Sequence, residues 1–340
     1  MAEFIHKAHV YDPKKHIINP SDWYISEKLD GRYFIWDGGV TVGMPAKNVT
    51  WANTKKDKRE MISTGLWSSL GKVITAPPFI IEQLMQHPYL LEGELYLGRG
   101  QFQECMSITK RLDYTEQDIK NWERINLMVF GAPMVRYFLE PRVISKTDVI
   151  IPVQAESYWR DLGIKELCQS STFGATYERL SGINWNGNIC LVDYTNLSTT
   201  NINQALKEVC DKGGEGLMLR ASYDVWMAKR CNTILKIKPW KDDEGYVTGY
   251  IAGKEGKTGK MLGMIGALVI GWHGKSFELS GMTDAERTFH PNEDMIPGYK
   301  CVGISPHFPL GKKITFRYRE LTVDGVPKEA RYHRPYMEEE

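Results

Sequence analysis

The hydrophobic pattern of this chain changes character at Pro239-Trp240-Lys241-Asp242-Asp243-Glu244-Gly245, where a proline, a run of charge and a glycine follow one another. Before that segment, strand-like and helix-like runs alternate irregularly. After it only short strand-like runs remain, separated by glycine-rich turns. A break of this kind predicts a linker or hinge. The 340 residues exceed one ordinary domain and suit two. We expect an α+β domain over residues 1–241 and a small barrel over residues 242–340.

In the first part, Asp22–Ser26 and Tyr33–Trp36 read as strands on either side of Lys28-Leu29-Asp30-Gly31, and Asp37-Gly38-Gly39 reads as a hairpin turn. Leu90–Leu97, Asn126–Phe130, Gly216–Leu219 and Thr233–Lys238 are further strands, and Pro78–Gln86, Thr115–Trp122, Ser157–Glu166 and Asn201–Lys212 are the expected helices. In the second part, Tyr246–Ile251, Leu262–Trp272, Phe277–Leu279 and Lys313–Tyr318 read as strands.

Charge excludes little. The net formal charge is +1, and residues 242–340 carry 13 basic against 15 acidic side chains. That rules out polybasic tails and acidic disordered chains but leaves room for a local basic surface. The six cysteines are scattered without a CxxC pair, which suits a reducing cytoplasmic compartment and no zinc ribbon. The start lacks the apolar core of a signal peptide, and the longest apolar run, Met261–Trp272, is too short to span a membrane. His6 and His9 read as parts of a solvated terminus.

Chemistry concentrates in four segments. Lys28 stands in a turn beside Glu27, Asp30 and Gly31, the setting of a nucleophilic lysine or, equally, of an exposed surface turn. In Leu91-Glu92-Gly93-Glu94-Leu95-Tyr96-Leu97, period 2 puts Glu92, Glu94 and Tyr96 on one strand face. Two such carboxylates repel each other unless a cation lies opposite or the face is solvated. Glu215 heads the strand-like run Gly216–Leu219, and Lys236 and Lys238 share a face of the last run before the break. Carboxylates hold Mg²⁺ and lysines hold phosphate oxygens, so the set suits phosphoryl or nucleotidyl chemistry. There is neither a P-loop nor a GxGxxG fingerprint.

In order and spacing these segments resemble the covalent nucleotidyltransferases, specifically the minimal ATP-dependent DNA ligases of bacteria and phages. Lys28-Leu29-Asp30-Gly31 resembles their first motif and Glu92-Gly93-Glu94-Leu95 their third. Leu127-Met128-Val129-Phe130 resembles the aromatic strand motif, Glu215–Arg220 the fourth and Leu235–Pro239 the fifth. Gly98–Gln103 and Leu321–Lys328 resemble two further stretches of the family, and the likeness runs from about Tyr24 to Arg334. It implies an adenylyltransferase domain of antiparallel sheets with helices, followed by an OB-fold barrel.

The resemblance also implies a mechanism. Lys28 attacks the α-phosphate of ATP and becomes lysyl-AMP, AMP passes to the 5′-phosphate of a nick in duplex DNA, and the 3′-hydroxyl expels it. A free lysine is almost wholly protonated at neutral pH, so positive charge or desolvation must activate it. Glu27, Asp30, Gly31, Arg32, Glu94, Phe130, Glu215, Lys236 and Lys238 would form the nucleotide site, with Glu94 and Glu215 on Mg²⁺ and Phe130 on adenine. Arg99, Lys110 and Arg111 after the third motif, and the glycine-spaced Lys254, Lys257 and Lys260, are read as DNA phosphate contacts, with solvated surface charge the plainer alternative. Residues 280–309 are read as a clamp loop over DNA. A monomer is expected. RNA ligases and capping enzymes share the lysine chemistry and form the alternative.

Three positions depart from the family. Tyr33 stands where an arginine is usual, with Arg32 one place earlier, so that either Arg32 or a stacking Tyr33 replaces it. Gly131 stands where the aromatic motif usually has Asp. The arginine usual after the first hairpin is absent from Thr41-Val42-Gly43-Met44-Pro45, Lys47 being the nearest cation. These departures bear on nick-phosphate recognition more than on adenylylation.

Overall fold

The structure is a computed structural model that describes residues 5–54, 57, 59–113, 115–134, 143–145, 148–149, 163–165, 167, 170, 172–254, 263–292, 296–322 and 324–336. The chain divides into two compact units, Met1–Lys238 and Pro239–Glu340.

The first unit holds strands β1 (Lys7–Val10), β2 (Trp23–Glu27), β3 (Arg32–Asp37), β4 (Leu66–Ser68), β5 (Leu90–Tyr96) and β6 (Asn126–Gly131). A short hairpin of β7 (Val143–Ser145) and β8 (Asp148–Val149) follows, then β9 (Ile189–Leu191), β10 (Thr195–Asn196), β11 (Leu217–Ala221) and β12 (Arg230–Ile237). Two five-stranded sheets result, in the orders β1-β12-β11-β2-β10 and β4-β3-β5-β6-β9. Pairing is antiparallel except for β1 with β12 and β6 with β9. β2 and β3 are consecutive in sequence yet belong to different sheets. Lys28-Leu29-Asp30-Gly31 is therefore the crossover from one sheet to the other, which places Lys28 at the edge of the cleft between them.

Helices α1 (Pro78–Leu84), α2 (Phe102–Thr109), α3 (Glu116–Trp122) and α4 (Phe173–Ser181) contribute to the core on the outer face of the second sheet. Ile80, Leu84, Cys105, Ile108, Trp122 and Leu180 meet Phe34, Leu91, Leu95, Leu127 and Val129 there. α5 (Ile202–Asp211) lays Ile202, Ala205, Leu206 and Val209, one helical stripe, on the first sheet. Thr115 and Asp118 form a reciprocal capping box on α3, and Asn201 caps α5 through the Gln204 N–H at 3.1 Å.

Several local expectations change. α2 and α4 were not legible in the sequence, because each buries too short a stripe to reveal a helical period: Cys105, Ile108 and Thr109 in one, Phe173, Thr176 and Leu180 in the other. The helix expected over 157–166 falls largely outside the described residues. Asp37-Gly38-Gly39 makes no two-residue hairpin, for β3 pairs instead with β4 and β5. The turn is closed by Asp37, which accepts from Gly39 N–H at 3.0 Å, Thr41 Oγ1 at 2.5 Å and Trp67 Nε1 at 2.8 Å.

The second unit begins earlier than the linker reading implies. Its first strand, β13 (Lys241–Ala252), takes in the charged run Lys241–Glu244 and pairs it with Tyr318–Thr315. A strand with one face open to water accommodates such charge, so the linker contracts to Pro239-Trp240. Strands β14 (Ile265–Trp272), β15 (Lys275–Leu279), β16 (His290–Pro291), β17 (Lys300–Cys301), β18 (Gly303–Ile304), β19 (Lys313–Tyr318), β20 (Glu320–Leu321), β21 (Pro327–Lys328) and β22 (Arg331–Pro335) follow. The main ladder runs β15-β14-β13-β19-β22, with β17 on β13.

Among the described residues this ladder does not close as a barrel. Its two edges meet at one isolated bridge, Ser280 to Arg331, where Tyr332 N–H donates to the Ser280 carbonyl at 2.7 Å. Val247, Tyr250, Leu268, Ile270, Phe308 and Phe316 fill the interior. No described helix is long and apolar enough to cross a membrane.

Candidate active site

A cleft of 390 Å³ opens between the two sheets of the first unit, lined among others by Lys28, Tyr33, Glu94, Phe130, Tyr194 and Lys236. Strand alternation supplies its walls. Gly31 and Tyr33 line the cleft, whereas Arg32 shares the opposite face with Phe34 and Trp36, toward the helix-covered core.

Lys28 is fixed at both backbone and side chain. Its N–H donates to the Gly216 carbonyl at 2.8 Å. Gly216 has φ 152°, and a Cβ there would meet the Ile237 carbonyl at 2.1 Å, so only glycine permits this approach. The Lys28 ammonium pairs with Glu215 Oε2, while Lys238 pairs with Oε1 of the same carboxylate. One acid, heading β11, thus joins the predicted nucleophile to a lysine at the end of β12.

Glu94 faces the same space and accepts from Gly31 N–H at 3.1 Å. Burial pushes its carboxyl up to about 7, against the opposing pull of Lys28 and that N–H, and with Glu215 and Asp30 adding to the rise. Among the described residues no three His, Cys, Asp or Glu side chains are arranged around a metal. Two carboxylates completed by substrate phosphates and water are nevertheless an ordinary Mg²⁺ site, and Glu94 and Glu215 supply two such oxygen donors at the cleft. The residues present fit that ion.

Glu92 does different work. It is 1% exposed and accepts from Tyr33 Oη at 2.9 Å, Trp226 Nε1 at 2.6 Å and Arg220 Nη1 at 3.3 Å. Arg220 also donates through Nε to Asp224 at 2.8 Å, and Asp224 lies 3.2 Å from His6 Nε2. Burial opposes both charges of the Arg220–Asp224 pair. Their mutual attraction nevertheless holds Asp224 at about 2, and Arg220 is kept above its ordinary range by Asp224 and Glu92. This is the cation that the carboxylate face required. His6 is buried in the network rather than solvated, and its Nδ1 accepts from Met227 N–H at 2.8 Å.

The other predicted residues fall into distinct places. Phe130 lines the cleft, with its ring centroid 6.0 Å from that of Tyr33, and Lys236 lines it from β12. Tyr33 is anchored by Glu92. Arg32 is a correction: its guanidinium donates to the Thr109 carbonyl at the end of α2, away from the cleft, and burial lowers it to about 10. Asp30 lies in the crossover turn but is not among the cleft-lining residues.

Glu27 lines the cleft and is gripped by Arg99. Lys110 is exposed at the end of α2, and Arg111 pairs with Asp118 at 2.7 Å. Lys47 pairs with Glu60 at 2.7 Å, and Thr41 is buried on Asp37. In the second unit, Lys254 lays its stem where a Cβ on Gly298 would be, and Lys257 and Lys260 lie outside the described residues. The sequence reading missed Tyr194, Met218, Arg230 and Ile234 in the cleft wall. Met218 lies within the fourth motif but was not singled out, Arg230 and Ile234 are marked only by alternation with Lys236 on β12, and Tyr194 lies just before β10 with no such signal.

A lysine, an acid and a second lysine at the rim of a two-sheet cleft, with a mostly antiparallel β unit following, are the arrangement that the resemblance to covalent nucleotidyltransferases leads one to expect. The comparisons narrow this. Residues 255–335 match the DNA ligase OB-like domain. The chain is 25% identical over 313 residues to a DNA ligase of Haemophilus influenzae, covering 92% of this chain and 86% of that protein. It shares its fold with a structure from a study of DNA binding with a minimal scaffold in Lig E DNA ligases (TM-score 0.59, 23% identity, 98% of each chain covered). The Pmar-Lig_PreS3 structure is also similar, with TM-score 0.52 and 18% identity over 98% of this chain and 67% of that one. The chain resembles the minimal ATP-dependent DNA ligases of the bacterial and phage type.

Proposed function

We infer that this chain is an ATP-dependent DNA ligase that joins a 5′-phosphate to a 3′-hydroxyl at a nick in duplex DNA through a lysyl-AMP intermediate. The observation that carries the reading is the Lys28–Glu215–Lys238 chain of ion pairs at the rim of a cleft that also holds Glu94 and Phe130. The DNA ligases named above favour DNA over the RNA ligase and capping readings.

In the first step the Lys28 amine forms a bond to the α-phosphorus of ATP, and pyrophosphate leaves with the electron pair of the broken P–O bond. The nucleophile must be a free amine, and Glu215 is the acceptor already seated on its ammonium. Lys236 and Lys238 bring positive charge to the phosphates, and preorganised charge of this kind is a large term in phosphoryl transfer. Phe130 offers a face to adenine, and Tyr33, held by Glu92, keeps the neighbouring wall fixed. Glu94, with Glu215 beside it, would hold Mg²⁺, which when bound neutralises phosphate charge.

In the second step a 5′-phosphate oxygen of DNA attacks the AMP phosphorus and Lys28 departs. In the third the 3′-hydroxyl attacks the DNA 5′-phosphorus, AMP leaves and the hydroxyl proton is released. The test is incubation with ATP radiolabelled on the α-phosphate. Wild-type protein should retain label through denaturation, Lys28→Ala should not, and addition of nicked duplex should discharge the label. Label retained by Lys28→Ala would overturn the assignment.

A further inference from the structure

Arg99 stands on the loop after β5 between two glycines with positive φ, Gly98 at 141° and Gly100 at 70°. Its fork holds Glu27 by two bonds, Nε at 2.8 Å and Nη2 at 2.6 Å, and its Nη1 lies 3.4 Å from the Lys212 carbonyl. One side chain thus ties together the end of β2, the loop after β5 and the turn after α5. Gly214 leaves room for the pair, since a Cβ there would stand 2.9 Å from Glu27 Oε1. Glu27 immediately precedes Lys28 and lines the cleft.

Both side chains are open to water, Arg99 34% and Glu27 24% exposed. An ion pair in water stabilises little and exchanges readily. A guanidinium fork grips phosphate oxygens with the same two-pronged geometry it uses on a carboxylate. Gly100 has no atom within 4 Å of where its Cβ would be, so the loop is unobstructed on that side.

We propose that Arg99 is a DNA-phosphate ligand held in reserve by Glu27: binding of duplex DNA transfers its fork from the Glu27 carboxylate to a backbone phosphate and unties the cleft rim beside Lys28. The inference rests on the ligase reading and deepens it, making Glu27 a competitor of DNA. No covalent bond changes; one ion pair is exchanged for another.

The test titrates the full chain with a fluorescent duplex whose nick lacks the 3′-hydroxyl and so cannot be sealed. Labelled-AMP adduct formation is followed separately. Arg99→Ala should bind about 10-fold more weakly, with a salt slope lower by about one. Glu27→Gln should bind about 3- to 10-fold more tightly than wild type, because Arg99 no longer has to be won from a carboxylate. The double variant should match Arg99→Ala, since without the guanidinium there is nothing to compete for.

Glu27→Ala, which removes the carboxylate outright, should gain affinity for the duplex as Glu27→Gln does. It serves as a second reading should Glu27→Gln fail to fold. Unchanged or weaker binding by Glu27→Gln, wild-type binding by Arg99→Ala, or a Glu27→Gln gain that persists in the double variant would each overturn the exchange. Wild-type protein that forms the adduct while all variants bind DNA alike sinks the exchange and leaves the ligase reading standing. Wild-type protein with neither adduct nor DNA binding sinks both.

Discussion

Gly131 lies directly against Glu92: a Cβ on Gly131 would stand 2.4 Å from Glu92 Oε1. The strand register allows no escape, because Glu92 pairs with Gly131 across β5 and β6. Glu92 is also pinned by Tyr33, Trp226 and Arg220. The absence of the family's aspartate at this position follows, since a second carboxylate would occupy the space of the first. Gly131→Ala should therefore destabilise the chain by about 1–3 kcal/mol through overpacking, and Gly131→Asp by more. Urea unfolding of the two variants measures this, and a Gly131→Ala variant as stable as wild type would refute the clash.

Arg220 offers a sharper stability test. It is buried between Asp224 and Glu92, and each of its contacts is to a side chain or carbonyl that is itself held elsewhere. Replacing it with Met fills much of the volume but leaves two buried carboxylates without their cation. Removing one partner of such a pair costs about 3–5 kcal/mol. Arg220→Met should therefore lower the urea midpoint markedly, and a loss below about 1 kcal/mol would mean that the network is already solvated.

What was legible in the sequence divides along the same line. Lys28, Glu215 and Lys238 stand in segments singled out by their resemblance to family motifs, and the structure brings the three together. The partners of Glu92 were not legible, because Arg220 and Trp226 lie 128 and 134 residues further along the chain and nothing local ties either to Glu92. Arg32 misled because sequence proximity to the first motif says nothing about which sheet face a side chain takes. The Lys241–Glu244 run misled in the opposite way: charge suggested a linker, but an open strand face accepts it. The α+β character was readable from periodicity, whereas the division of β2 and β3 between two sheets depends on pairings with strands far away in sequence.

Asp37 gives a pH dependence of unusual sign. Burial pushes its carboxyl up to about 6 from an ordinary 3.8, despite the donors Thr41, Trp67 and Gly39. Between those values the folded state binds more protons than the unfolded one, so this group makes stability rise as pH falls from about 6 to 3.8. The whole contribution is on the order of 3 kcal/mol. Asp37→Asn should remove it, so the difference in unfolding free energy between wild type and variant should change across that window and be flat above it. Urea titrations from neutral to mildly acidic pH decide the matter, and parallel curves would show that folding leaves the Asp37 carboxyl unshifted.

Glu215 should separate chemistry from folding. Its two oxygens serve Lys28 and Lys238, and its side chain is 14% exposed, so the pairs are screened less than surface ones yet are not sealed from water. A Gln in its place keeps the shape and one acceptor but cannot take a proton from the Lys28 ammonium or hold both lysines. If Glu215 performs that service, Glu215→Gln should slow single-turnover adduct formation by about 10²- to 10⁴-fold. ATP affinity should change by less than about tenfold, because Phe130, Tyr33 and Lys236 still line the cleft. Rapid-quench measurement of the adduct, beside equilibrium ATP binding, resolves the two effects. Adduct formation at the wild-type rate would remove Glu215 from the chemistry and leave Lys28 to be activated by the lysines alone.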